Sequence, residues 1–172
     1  LSKLSIAYRL PGACWSLEFS EPALQAMLDH AQYSRLSKES VGQLFVRNLK
    51  RDAHLIEAAT ILTPTRDASA RVTFSTARAM DKRESFYSKR LHCIGLWHTH
   101  PEPSPVPSAD DCALAREHAL AARPHLGGIV FVIVGTAPRL KVFASGLTTE
   151  VPCVRLPAMA SSAQTYDRYR GV

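Results

Sequence analysis

No apolar stretch in this chain approaches the roughly 20 residues needed to cross a bilayer. No basic-then-apolar leader of the secretory kind is visible at its start. Internal repeats and low-complexity runs are missing, which excludes repeat architectures. Cysteine is sparse: Cys14, Cys93, Cys112 and Cys153 are scattered, mostly in apolar contexts. They do not form a disulfide framework and suit buried free thiols in a reducing, cytoplasmic compartment. Basic residues interleaved with aromatics, the pattern that stacks bases, are also missing, so nucleic acid is not an expected partner. Among zinc patterns, the H-E-x-x-H helix is absent, and so is the H-x-E with a later C-x-x-C of the nucleobase deaminases.

What remains is an ordinary globular composition. With 46% apolar and 21% charged residues, the 172-residue chain can bury a proper core. It reads as a single domain over residues 1–156. The tail 157–172 has little to bury and is expected to be loose. The net charge is +6, with basic clusters at Arg47, Lys50 and Arg51, at Lys82 and Arg83, and at Lys89 and Arg90. These are solvated faces or a surface for an acidic partner.

The alternation of apolar residues predicts strands over 3–10 and 13–19 about the turn Pro11-Gly12. Ser20 should cap a helix from Glu21 whose apolar face is Leu24, Met27, Leu28 and Ala31. Residues 42–49 and 53–63 read as an antiparallel pair, and 65–71 as a polar loop. A short strand at 71–75 precedes a helix from Thr76 to Arg90, with Met80, Tyr87 and Leu91 on one stripe. A strand over 92–98 is followed by a helix from Ser108 to Ala122, whose small stripe of Cys112, Ala115, Ala119 and Ala122 suits close packing on a sheet. Residues 127–134, G-G-I-V-F-V-I-V, form a central strand. Residues 140–144 and 151–156 read as edge strands. The fold class is α/β, a sheet core covered by helices.

The densest chemistry lies in fourteen residues, His98 to Asp111. His98 and His100 are two apart at the end of a strand, so both imidazoles leave one face, the one expected to carry Ile94 and Leu96. Four prolines between 101 and 107 then stiffen the connection to Ser108, where a helix starts with Asp110 and Asp111 in its first turn. Two neutral imidazoles and one carboxylate suit zinc, and three protein ligands leave a fourth position for water. His98, His100 and Asp111 thus read as a catalytic zinc site with one Zn²⁺ per chain. Asp110 is the rival carboxylate. Ser108 and Asp111 also make an S-x-x-D capping box, which by itself implies no function.

The run H-T-H-P-(x)6-S-x-x-D, His98 to Asp111, resembles the JAMM motif of the MPN+ (JAB-domain) zinc metallopeptidases. Upstream, K-E-S-V-G-Q-L-F resembles that family's E-x-x-G-x-L-F and brings in Glu39; Val41 and Val46 depart from its commonest form. The resemblance spans roughly residues 20–146. It implies a highly curved, mainly antiparallel β-sheet flanked by helices, related to the deaminase-like architecture. It also favours Asp111 over Asp110 as ligand. Glu39 is implied as the proton shuttle, with Glu57 as its rival on the next strand, and Ser108 as the hydrogen-bond donor to the oxyanion. The implied activity is cleavage of a peptide or isopeptide bond at the C-terminus of a ubiquitin-like protein. The phrase W-H-T-H-P-E is most similar to compact bacterial members from antiphage operons of the cyclic-nucleotide (CBASS) type. There the target is a conjugated nucleotidyltransferase or a ubiquitin-like modifier. An extended substrate tail is expected along a strand edge within residues 53–75, with Arg66 and Arg71 as substrate-binding residues. A non-catalytic MPN scaffold and a zinc hydrolase of a small-molecule or sulfur-carrier substrate stay open.

Overall fold

The structure, a computed structural model, describes residues 6–9, 14–34, 36–50, 52–63, 74–137, 141–146 and 154–156. Their elements run β1 (Ile6–Tyr8), β2 (Ser16–Phe19), α1 (Glu21–Leu28), β3 (Val41–Val46), β4 (Ala53–Leu62), α2 (Thr76–Tyr87), β5 (His92–Thr99), α3 (Ala109–Ala122), β6 (Gly128–Val134), β7 (Lys141–Gly146) and β8 (Val154–Leu156). The eight strands form one sheet in the order β1-β2-β4-β3-β5-β6-β7-β8. Pairing is antiparallel except for the parallel pairs β2–β4 and β5–β6. The expected α/β class and mainly antiparallel sheet are both found. The Arg66–Arg71 loop, the Pro11-Gly12 turn, Cys153 and the tail 157–172 lie outside the described residues.

Local chemistry explains most boundaries. Ser20 caps α1 by accepting the Ala23 N–H, and Pro22 sits in the first turn, where its missing N–H has no helical acceptor to leave unpaired. Ala23, Leu24 and Met27 bury the inner face of α1 against one side of the sheet, with Leu17, Phe19, Leu44, Ile56 and Trp97. On the other side, the small stripe of α3, Ala115 and Ala119, lies on Leu96, Ile129, Phe131 and Ile133. The apolar run of β6 is buried on both faces for this reason.

Four expectations are corrected. β7 is no edge strand, since β6 and β8 flank it; β8 and β1 are the edges. The stripe of Met80 and Tyr87 on α2 points to solvent, at 60% and 67% exposure. The inward positions are Ala79, Arg83 and Phe86, one step round the helix, and Phe86 stacks on Phe45 with ring centroids 4.3 Å apart. α2 also ends at Tyr87, three residues early, because Arg90 adopts a left-handed backbone (φ 59°) and the Leu91 N–H returns to the Phe86 carbonyl. Finally, Ile94 does not share a face with Leu96. The register with β3 slips between Cys93 and Gly95, making Ile94 the extra residue of a bulge, and it packs with Trp97 on the α1 side.

Trp97 reaches across β3 at Gly42 and donates its Nε1–H to the Thr60 carbonyl at 2.9 Å. A Cβ on Gly42 would land on that carbonyl and on the indole. Gly42→Ala should therefore destabilise the fold by about 2–4 kcal/mol, combining overpacking with loss of a buried hydrogen bond. Gly127, with nothing within 4 Å of an added Cβ, is the control and should shift stability by about 0.5 kcal/mol or less. Urea denaturation of both variants measures this; equal midpoints would contradict the packing account.

Candidate metal centre

The site forms where β5 ends. The parallel register with β6, Leu96 opposite Phe131 and His98 opposite Ile133, sends His98 to the α3 side of the sheet. His98 is 4% exposed, and its ring leans on Phe131 with centroids 5.0 Å apart. His100 follows on the same side, its backbone N–H bonded to the Val134 carbonyl. Thr99, between them, must face the other way, and it does structural work there. Its N–H donates to the Ser40 carbonyl at 3.0 Å, and its Oγ1 accepts the Ser40 N–H at 2.9 Å. The Thr99 hydroxyl then donates to Gln32 Oε1, and Gln32 Nε2 donates to the Ser37 carbonyl. This buried clasp holds the segment 37–40 against β5 and so brings Glu39 to the imidazoles.

The two imidazole nitrogens face each other, with a carboxylate near them from Glu39 and another from Asp111. His98 Nε2 and His100 Nε2 are 2.9 Å apart. Glu39 Oε1 lies 3.7 Å from the first and 3.8 Å from the second. Asp111 Oδ1 lies 3.3 Å from His98 Nε2, and its Oδ2 lies 3.7 Å from His100 Nε2. The donor atoms of Glu39, His98 and His100 all fall within 4.8 Å of one another, close enough to hold a metal ion together. Two nitrogens on one tetrahedral zinc, at bonds of 2.0–2.1 Å, would be roughly 3.3 Å apart. The imidazole pair is near that spacing, so the residues fit the metal.

Asp111 serves two roles with separate oxygens. Its Oδ2 accepts both the backbone N–H and the hydroxyl of Ser108 at 2.8 Å, while its own N–H donates to Ser108 Oγ. The capping box is therefore real, and it leaves Oδ1 facing His98. Asp110, the rival, is exposed. The Ser108 hydroxyl is committed to Asp111 here, so it must release that bond before it can donate to a substrate. Glu57 pairs with Arg47 at 3.1 Å on the outer part of β4, away from the imidazoles. Two residues near the site have no signal in the motif: Gln32, which looks like ordinary loop polarity, and Glu102, whose Oε2 lies 3.6 Å from His100 Nδ1.

Burial pushes the Glu39 carboxyl up to about 7, aided by the Asp111 and Glu102 charges and opposed by His98. Burial would also raise Asp111, but the His98 imidazole and the Ser108 bonds hold it well below the usual carboxylate range. His100 falls below the ordinary imidazole value through burial and the His98 charge.

The sign of the Glu39 shift gives a test on protein stripped of metal by a chelator. Between the unfolded value, near 4.5, and about 7, the folded state holds a proton that the unfolded chain has lost, so Glu39 costs stability as pH rises through that window. Glu39→Gln should raise the melting temperature at pH 8 and leave it nearly unchanged at pH 4.5. The same difference at both pH values would contradict the burial of the carboxyl.

Among the described residues, no helix is long and apolar enough to cross a membrane. Comparison with curated proteins gives no match. Among solved structures, the solution structure of protein DSY2949 from Desulfitobacterium hafniense is similar, at 18% identity and a TM-score of 0.57. The likeness covers 82% of this chain and 88% of that one, and it speaks to the fold alone. A comparison with known families matches residues 20–145, which include both histidines, Glu39 and Asp111, to the prokaryotic homologs of the JAB domain. The family match covers most of the sequence and the whole candidate centre, and on that ground the chain belongs to the prokaryotic homologs of the JAB domain.

Proposed function

We propose that this protein is a JAMM-type zinc metallopeptidase that cuts a peptide or isopeptide bond. It would release a ubiquitin-like protein, or a conjugated nucleotidyltransferase-type protein, from its target in a bacterial antiphage system of the cytoplasm. The observation that carries the reading is the convergence of His98, His100, Asp111 and Glu39 at the end of β5. Two imidazoles flanked by two carboxylates of different basicity are more than a scaffold requires. Three of these groups serve as ligands, His98, His100 and Asp111, and one carboxylate is left for proton transfer. Zinc held there supplies Lewis acidity for a scissile carbonyl and for an attacking water.

The chain's own residues supply the rest. Glu39, the carboxylate not used as a ligand, would take the proton from the attacking water and pass it to the leaving amine. Ser108 turns its hydroxyl from Asp111 to the oxygen that becomes negative. A substrate tail has an edge to follow. β2 pairs with β4 only over Ala53–Ile56, and beyond that the outer edge of β4 has no strand partner among the described residues. An extended tail adding to that edge presents a single peptide bond to the centre. Arg66 and Arg71 follow β4 in sequence, and we assign them to holding that tail. The thiols of Cys14, Cys93 and Cys112 are unpaired among the described residues, which suits a reducing compartment, although Cys14 is exposed and the other two are half-buried rather than buried as expected.

The metal is tested first. Zinc titration should give about one equivalent per chain, and His98→Ala or His100→Ala should abolish it and lower the melting temperature, since a metal that binds only the folded state adds to its stability. A parent protein that takes up no zinc contradicts the reading.

Catalysis is tested next, on a ubiquitin-like fusion or conjugate. Glu39→Ala should keep its zinc and its substrate affinity while losing turnover by roughly 10²–10⁴-fold. Glu57→Ala should cut at the parent rate. If Glu39→Ala cleaves normally and Glu57→Ala is inactive, the roles are reversed. If both cleave normally, Glu39 is not the shuttle.

A further inference from the structure

His100 offers its two ring nitrogens to different groups. Nε2 faces the cluster, with His98 Nε2 at 2.9 Å, Asp111 Oδ2 at 3.7 Å and Glu39 Oε1 at 3.8 Å. Nδ1 faces away from it, to Glu102 Oε2 at 3.6 Å. His98 differs, because both carboxylates near it approach Nε2.

Glu102 is placed by its backbone. Its carbonyl accepts the Thr136 N–H at 3.0 Å, which continues the β5–β6 pairing past the end of the strands. Gly135 makes that approach possible: a Cβ there would meet the Glu102 carbonyl oxygen and the Pro105 ring, each at 2.5 Å. Pro101 and Pro103 on either side limit the backbone further. The carboxylate thus hangs from a pinned residue beside the imidazole. At 3.6 Å the pair is in ion-pair range, and the Glu102 side chain is exposed and free of packing that would hold it there.

The chemistry follows from the two nitrogens of neutral imidazole, one a donor and one an acceptor. A metal needs the lone pair on Nε2, so the proton must sit on Nδ1, and a carboxylate facing Nδ1 favours that form. We propose that Glu102 is a positioning residue: it accepts the Nδ1–H of His100, fixes the tautomer whose Nε2 lone pair faces the cluster, and thereby strengthens metal binding at that nitrogen. This rests on His100 being a metal ligand. In the metal-free state it also assigns the 2.9 Å contact, with His98 Nε2–H donating to His100 Nε2.

The experiment uses the full chain and zinc alone. Zinc affinity is measured by chelator competition for the parent, Glu102→Ala and Glu102→Gln. In the metal-free forms the ring tautomers of His98 and His100 are read from their ¹⁵N shifts. The parent should show the Nδ1–H form at His100. Glu102→Ala should lose that preference and bind zinc about 10–100-fold more weakly. Glu102→Gln, whose side-chain oxygen still accepts, should recover part of both, and the His98 tautomer should follow that of His100, its partner at 2.9 Å. A Glu102→Ala protein with parental affinity and the parental His100 tautomer overturns the proposal. So does one that binds zinc more weakly yet keeps the parental His100 tautomer, since the loss then does not run through that ring. A parent that binds no zinc overturns the metal-centre reading beneath it, a result distinct from either.

Discussion

Ser40 and Thr99 exchange two hydrogen bonds where β5 ends, and the candidate site depends on that exchange. A strand sends alternate side chains to opposite faces. His98 and His100 can therefore meet on one face only if the residue between them turns to the other. Thr99 uses this obligation. Fully buried on the α1 side, it binds Ser40 through its N–H and its hydroxyl, and the hydroxyl proton goes on to Gln32. Glu39, next to Ser40, is thereby carried to the opposite face, where the imidazoles are. One residue of the motif thus organises both sides of the sheet. Each buried hydrogen bond in such a clasp is worth only about 1 kcal/mol net, yet leaving its partners unmade would cost more.

A second constraint acts from the other direction. α3 must start within reach of the imidazoles, and the capping box sets where it starts. Ser108 and Asp111 satisfy each other's backbone N–H groups, and the same Asp111 carboxylate keeps an oxygen for His98. The cap and the site are thus one arrangement. The reading of S-x-x-D as a helix start and its reading as part of a metal motif are both correct. The Pro-rich loop joins the two constraints, held by the Thr136–Glu102 backbone bond and by the room that Gly135 leaves.

The parts legible in the sequence are those governed by local rules. Apolar runs placed β5 and β6, caps placed α1 and α3, and the small stripe of α3 identified its buried face. What escaped depends on neighbours. The bulge at Ile94 exists only in relation to β3, so simple alternation put Ile94 on the wrong face. The inward side of α2 was misplaced because Arg83 is half-buried while the apolar Met80 and Tyr87 are not, and helical periodicity cannot see the Phe45 ring that selects Phe86. The insertion of β4 between β2 and β3, with a parallel β2–β4 pair, has no local signal at all. At the site, the two histidines and Asp111 were visible from spacing, and Glu39 only through its upstream motif. Gln32 and Glu102 were not visible, because their roles lie in contacts with residues far along the chain or pinned by another strand. Buried Gln43, whose amide makes no hydrogen bond among the described residues, breaks the usual rule for polar groups.

The central claim is that this cluster binds one zinc ion through two imidazoles and a carboxylate. X-ray absorption at the zinc edge of the loaded protein tests it most directly, since it reads the atoms bound to the metal without requiring a substrate. The account predicts a four-coordinate ion with nitrogen and oxygen neighbours at about 2.0–2.1 Å, two of them imidazoles. A sulfur shell near 2.3 Å would place the zinc on the cysteines instead and contradict the account.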